Sequence, residues 1–191
     1  MITKRQQQIL DLAAVLFAER GFHRVSVHDI GAACGISGPA LYKHFRSKDE
    51  ILAKALTAIS EQLLSTGSRL AAAAPTPAKA LAELIGWHVD FALSHPALIV
   101  IQEREWTNLD AAARKVVRAL QLAYIDVWTG TLRDLRPELD RSEAQAAVQA
   151  TFGLLNSTPH SARVSEARMR SLLSTMATSA LVSNAPKSDG S

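Results

Sequence analysis

The side chains most able to do chemistry lie between Ser26 and Lys48, in the run SVHDIGAACGISGPALYKHFRSK. Tyr42, Lys43 and His44 can donate hydrogen bonds to phosphate oxygens, and Ser26 and Lys48 put donors at helix starts, where anions are also favoured. Ser37, Gly38, Pro39 and Ala40 are small enough for a helix N-terminus to approach the floor of a DNA major groove, where Pro39 or Ala40 can touch a thymine methyl. The chemistry on offer is recognition of a polyanion. The plainer alternative is a set of ordinary solvated side chains. Few of these residues can make a bidentate base contact, so sequence discrimination would lean on Lys43, apolar contacts and DNA shape.

A second set is aromatic. Trp87, His88, Phe91, Trp106, Tyr124, Trp128, Phe152 and Asn156 could line an apolar cavity with a few placed polar groups, the usual make-up of a small-molecule site. Aromatics at helical spacing also serve simply as core. Glu103-Arg104-Glu105-Trp106 reads as a solvated face, with a charge beside the cavity as the other reading, and His160 beside Pro159 as a loop residue. Catalysis has no matching pattern: there is no nucleophile elbow, no Gly-rich phosphate loop and no His pair at metal-ligand spacing. The expectation is a chain that is no enzyme and carries no metal or cofactor.

The elements that would position these residues are helices. Thr3 caps a first helix over 3–20 with Ile9, Ala13, Leu16 and Phe17 in one stripe, stopped by Gly21 and Phe22. Ser26 and Asp29 form a capping box for a second, short helix ended at Gly35. Ser37 caps a third, with Pro39 in its first turn and Ala40 to His44 continuing it. Two helices joined by a short corner containing Gly describe a helix-turn-helix. Ser47 and Glu50 box the start of a longer helix reaching about Leu70. Residues 71–77 read as a connection. Further helices are expected from Pro77 to about His95, over 109–135 with Val116, Val117, Leu120, Tyr124, Val127, Trp128 and Leu132 inward, over 143–156, and from Ser165 with Met169, Leu172, Leu173, Met176 and Ala180 in line. Residues 96–106 read only as a short apolar segment. The chain is expected to be all-α.

Bulk properties agree. Apolar residues are 48% and charged residues 20%, the balance of a globular protein. The net charge of +3 permits nucleic-acid binding without requiring it. One cysteine, Cys34, excludes an internal disulfide and suits a reducing cytoplasm. No apolar run approaches membrane-spanning length, and the first residues lack a signal-peptide core, so a cytoplasmic protein without membrane attachment is expected. From Ala144 to Ala162 no residue carries a charge. Helices 143–156 and 165–181 are therefore the candidates for a two-fold interface between copies; a helix buried within one subunit is the alternative.

Residues 9–56 closely resemble the N-terminal DNA-binding domain of the TetR family of transcriptional regulators. The resemblance rests on Phe17, Gly21-Phe22, Val27, Asp29-Ile30, Gly35-Ile36-Ser37, Leu41-Tyr42-Lys43-His44-Phe45 and Ser47-Lys48-Asp49-Glu50. It implies a three-helix DNA-binding domain (1–46), a connecting helix (47–70), an all-helical ligand-binding and dimerisation domain (71–183) and a flexible tail (184–191). It implies, further, a homodimer on double-stranded DNA with a near-palindromic operator, and repression released by a small effector. The aromatic lining suits a hydrophobic effector, with an acyl thioester, a carboxylate and a neutral aromatic compound all compatible. A transcriptional activator of the same fold, or a small-molecule-binding helical protein without DNA binding, are the competing functions.

Overall fold

The first helix starts rest on caps formed in the computed structural model, which describes residues 2–182. The expected Ser47–Glu50 box, by contrast, closes only on one side: Ser47 Oγ accepts the Glu50 N–H, but Glu50 answers the Arg46 N–H instead. Thr3 Oγ1 accepts the Gln6 N–H while Gln6 answers the Thr3 N–H, and helix α1 runs Lys4–Arg20. Ser26 and Asp29 do the same for α2, Val27–Ala33. Ser37 caps α3, Gly38–Leu41. The longer helices are α4 (Lys48–Ala73), α5 (Pro77–Ser94), α6 (Pro96–Arg104), α7 (Ala111–Leu135), α8 (Arg141–Leu155) and α10 (Glu166–Val182), with a single turn, α9, at Thr158–Ser161. Among the described residues there is no strand, and no single helix is long and apolar enough to cross a membrane.

The chain divides into two compact units. The first takes the chain up to Ser65 together with His95–Ala123. Its core is Ile9, Leu10, Ala13, Phe17, Phe22, Ile30, Leu41, Phe45, Ile51, Leu52 and Leu56, all buried. Burying each large side chain contributes roughly 1.5–3 kcal/mol. Here α1 packs on α2 and α6. The second unit takes Thr66–Ser94 together with the chain from Tyr124 onward. In it α10 packs on α5 and α8 around Leu81, Leu84, Ile85, Val89, Trp128, Leu132, Val148, Leu155, Met169 and Leu173. The expected tail 184–191 lies outside the described residues.

Four expectations change. The 96–106 segment is mostly helix, because Pro96 lacks the N–H that a first helical turn leaves unused and has its φ preset. Helix α4 continues three residues past Leu70, since the alanines of 71–73 are the best helix formers. The regular part of α3 ends at Leu41. Lys43 N–H then bonds Ala40 O and His44 N–H bonds Leu41 O, a tightened i→i−3 pattern. Finally, the phase of two helices differs from the stripes read in the sequence. Val117, Tyr124 and Trp128 are buried on α7 while Val116 is exposed. On α10, Met169, Leu173, Ala177 and Leu181 are buried at a spacing of four, which leaves Leu172 and Met176 exposed.

Close approach sets the helix-turn-helix corner. A Cβ on Gly31 would lie 2.8 Å from the Ile36 carbonyl oxygen, and Ile36 N–H bonds back to Gly31 O at 2.9 Å. Gly35, with φ +66°, supplies the left-handed residue of the turn. Because the obstructing atom is backbone, Gly31→Ala should destabilise the first unit by about 1–3 kcal/mol. Chemical denaturation followed by circular dichroism measures this. An unchanged midpoint would mean that the corner opens without strain.

Candidate functional site

The helix-turn-helix presents its expected residues at the surface. Ser37, Pro39, Tyr42 and Lys43 are exposed, and Gly38, Ala40 and His44 are partly so. Tyr42 is 56% accessible, an unusual exposure for an aromatic with nothing to cover it. Beneath them Leu41 and Phe45 point into the core. The short reading element is tied to α1 by Gln6, whose Nε2 donates to the His44 carbonyl at 3.3 Å. Arg5 ties the end of α2 by donating to the Cys34 carbonyl at 2.8 Å. Burial pushes the Cys34 thiol up, with the nearby Arg5 opposing, so the group stays a thiol at neutral pH.

Two of the expected phosphate donors have other duties. Ser26 Oγ gives its hydrogen to Asp29 Oδ2 at 2.5 Å, and the bonds from Ser26 hold that carboxyl below the usual range. Lys48 Nζ donates to the Phe22 carbonyl at 3.0 Å and the Val25 carbonyl at 3.2 Å, and stands 4.4 Å from the Phe22 ring centroid. One of its three N–H groups remains.

In the second unit most of the aromatic set converges. The rings of His88, Tyr124 and Phe152 lie within 18° of parallel, with centroids 4.8 Å (His88–Phe152), 5.6 Å (Tyr124–Phe152) and 5.9 Å (His88–Tyr124) apart. Trp128 stands edge-on to all three, and Phe91 edge-on to His88. A polar thread runs through the rings. His88 Nε2 lies 3.0 Å from Asn156 Oδ1, and His88 Nδ1 lies 3.4 Å from the Tyr124 hydroxyl. With the proton on Nε2, His88 donates to Asn156 and accepts from Tyr124. Gly67 makes room for this: a Cβ there would fall 2.5 Å from Tyr124 Cε2. The indole N–H of Trp87 is buried without a hydrogen-bond partner, and that of Trp128 has the Tyr124 hydroxyl near it. Burial pushes the Tyr124 phenol well up, opposed only in part by the Trp128 N–H nearby. Burial likewise lowers His88 from 6.5 to about 4, against the raising effect of Asn156, so the imidazole is neutral. Trp106 falls in the other unit, on the turn Trp106–Asn108.

Arg5, Gln6 and Glu105 were not singled out from the sequence. The first two look like any polar residues on an exposed face. Glu105 corrects the solvated-face reading of residues 103–106: Glu103 and Arg104 are exposed, but Glu105 is 8% accessible and accepts the Phe22 N–H. Nothing local to Glu-Arg-Glu-Trp distinguishes the two carboxylates; the distinction comes from a residue 83 positions away.

Comparison with known proteins agrees with this geometry. Residues 9–55 match the bacterial regulatory proteins of the tetR family, and residues 74–160 match the tetracyclin repressor-like C-terminal domain. The chain belongs to the TetR family. It is 31% identical over 130 residues to the HTH-type transcriptional repressor KstR2 of Rhodococcus jostii, covering 67% of this chain and 63% of that protein, a little under two thirds of the relative's length. Among solved structures, a TetR-family transcriptional regulator from Bordetella parapertussis superposes with a TM-score of 0.82 at 23% identity, over 93% of this chain and 94% of that one. FadR from Bacillus subtilis, solved with stearoyl-CoA, does so with a TM-score of 0.72 at 18% identity, over 92% and 97%. As a TetR-family member the chain is a DNA-binding transcriptional regulator.

The neutral His88 makes this regulator acid-sensitive. The unfolded chain takes up a proton near pH 6.5, whereas the native state does so only near pH 4. The stabilising effect of keeping His88 neutral is therefore complete above pH 6.5 and is lost as pH falls toward 4. At pH 5 the loss is about 2 kcal/mol. Urea denaturation of wild type and His88→Gln at pH 7.5 and pH 5 measures it, and the pH-dependent difference should vanish in the variant. Equal slopes would place the acid sensitivity elsewhere.

Proposed function

We propose that this regulator is a cytoplasmic repressor that binds a near-palindromic operator as a homodimer and is released by a hydrophobic effector held in the second unit. The observation that carries the effector reading is the His88–Tyr124–Asn156 thread among packed aromatic rings, a mostly apolar cluster with a few placed polar groups. Trp87, Phe91, Trp128 and Phe152 are proposed to extend it. KstR2, a named repressor, and FadR, solved with stearoyl-CoA, support a sensor of acyl or similarly apolar compounds. Among the candidate effectors an acyl thioester fits better than a carboxylate. His88 is neutral and so supplies no positive charge to offset a buried anion, which favours a neutral carbonyl group.

On the DNA side the proposed contacts are Ser37, Gly38, Pro39 and Ala40 at base edges, and Tyr42, Lys43, His44, Ser26 and the remaining N–H of Lys48 toward phosphates. Two copies are needed to read two half-sites about one helical turn apart. The proposed seam joins α8 and α10. Ala146, Gln149, Ala150 and Gly153 of α8 and Leu172 and Met176 of α10 make an exposed face without charge. Leu172→Glu should shift the protein from dimer to monomer in light scattering; an unaltered mass would move the seam elsewhere.

Fluorescence anisotropy with labelled DNA from beside the protein's own gene tests the main reading. Binding should weaken linearly in log salt, and Lys43→Ala should flatten that slope by about one phosphate contact. Stearoyl-CoA should release the DNA from wild type, with a reduced response in Asn156→Ala. The absence of salt-sensitive binding at any concentration would instead favour a small-molecule-binding protein that does not use DNA.

A further inference from the structure

Glu105 is a buried carboxylate with no part in the effector thread and no place on the DNA face. Its Oε1 accepts the Phe22 N–H at 3.2 Å, and its Oε2 accepts from Asn108 Nδ2 at 2.6 Å. Burying a carboxylate is costly unless it is well hydrogen-bonded, and a plain structural contact could be made by a neutral residue. The other side of the same residue is held too. The Phe22 carbonyl takes the ammonium of Lys48, which also takes the Val25 carbonyl and faces the Phe22 ring. Phe22 is thus held at its N–H by an anion from just past the end of α6 and at its carbonyl by a cation from the start of α4.

The held segment is the turn Phe22–Arg24, whose following residues, Val25 and Ser26, lead directly into the N-cap of α2. Bonds to a charged group are stronger than the neutral bonds that otherwise define the turn. We propose that Glu105 and Lys48 act jointly as positioning residues for operator binding, gripping Phe22 from both sides so that α2 and the reading element α3 leave α1 at the angle DNA requires. Lys48 then acts chiefly within the protein and only secondarily at a phosphate. The inference rests on the DNA-binding role of α3, but not on any effector.

The test uses the full chain and DNA from beside its own gene, with affinity measured between about 50 and 200 mM salt and the active fraction fixed by stoichiometric titration. Glu105→Ala and Lys48→Met should each weaken binding about tenfold, the first with an unchanged salt slope and the second with a slope that falls clearly less than that of Lys43→Ala. Glu105→Gln keeps an acceptor for the Phe22 N–H and should restore affinity to within about threefold of wild type. A purely structural role for Glu105 would lower the active fraction and leave the dissociation constant of the remainder unchanged, and that result overturns the proposal. So does a Lys48→Met slope that falls as far as that of Lys43→Ala. Hydrogen exchange of the free protein gives a reading independent of DNA: the Phe22 amide should exchange at least tenfold faster in both Glu105→Ala and Lys48→Met. An unchanged rate in Lys48→Met would mean that the two ends do not act together, and the joint grip fails even if DNA binding is abolished for another reason. Should Glu105→Ala not fold, Asn108→Ala, which removes the donor to Glu105 Oε2, carries the same expectations at about threefold.

Discussion

A reading helix with one regular turn cannot hold itself together. Nucleating a helix fixes several dihedral angles for a single hydrogen bond, and four residues never recover that entropy. α3 spans only Gly38–Leu41, so its shape and position come entirely from what surrounds it. Leu41 and Phe45 anchor it from below, and Ser37 caps its start. Gln6 holds the carbonyl of His44 from α1. Gly31 lets the corner close against Ile36. Most of the first unit can be understood as the scaffold for this one turn. Its tightness suits the small residues Ser37, Gly38, Pro39 and Ala40 at its start.

The second unit meets a different constraint, the placing of polar groups where water is excluded. His88, Tyr124 and Asn156 satisfy one another in a chain, which lets a histidine and a phenol sit among aromatic rings in their neutral forms. The Trp87 N–H group has no such arrangement. A buried donor without an acceptor is unfavourable by roughly 1–3 kcal/mol, and an effector with a carbonyl in reach would recover that energy on binding.

The two ways in which the sequence misled have a shared cause. Leu172 and Met176 look inward on α10 because a stripe of apolar residues is normally a core stripe. Yet Met169, Leu173, Ala177 and Leu181 form the covered line, and the other two are left on a face whose partner would be a second copy. Glu105 looks solvated for the complementary reason: a charge is usually in water. In both cases the side chain's type is a statement of average behaviour, and the exception is set by tertiary packing. Helix caps behaved differently. Thr3, Ser26, Ser37 and Asp29 satisfy backbone groups within three residues, so nothing distant could override them.

The sequence by itself determined the class of fold, the existence and starts of most helices, the helix-turn-helix and the family. All of these rest on interactions that close within one or two helical turns or on motif residues at fixed offsets. Only the tertiary structure decided which carboxylate is buried, that Lys48 turns back onto Phe22 and Val25, that Trp106 falls in a different unit from His88 and Tyr124, and which apolar residues of α10 stay uncovered. Those outcomes depend on pairs of residues tens of positions apart. Their meeting is set by how helices pack, and helical periodicity leaves that packing open to within a residue or two of phase.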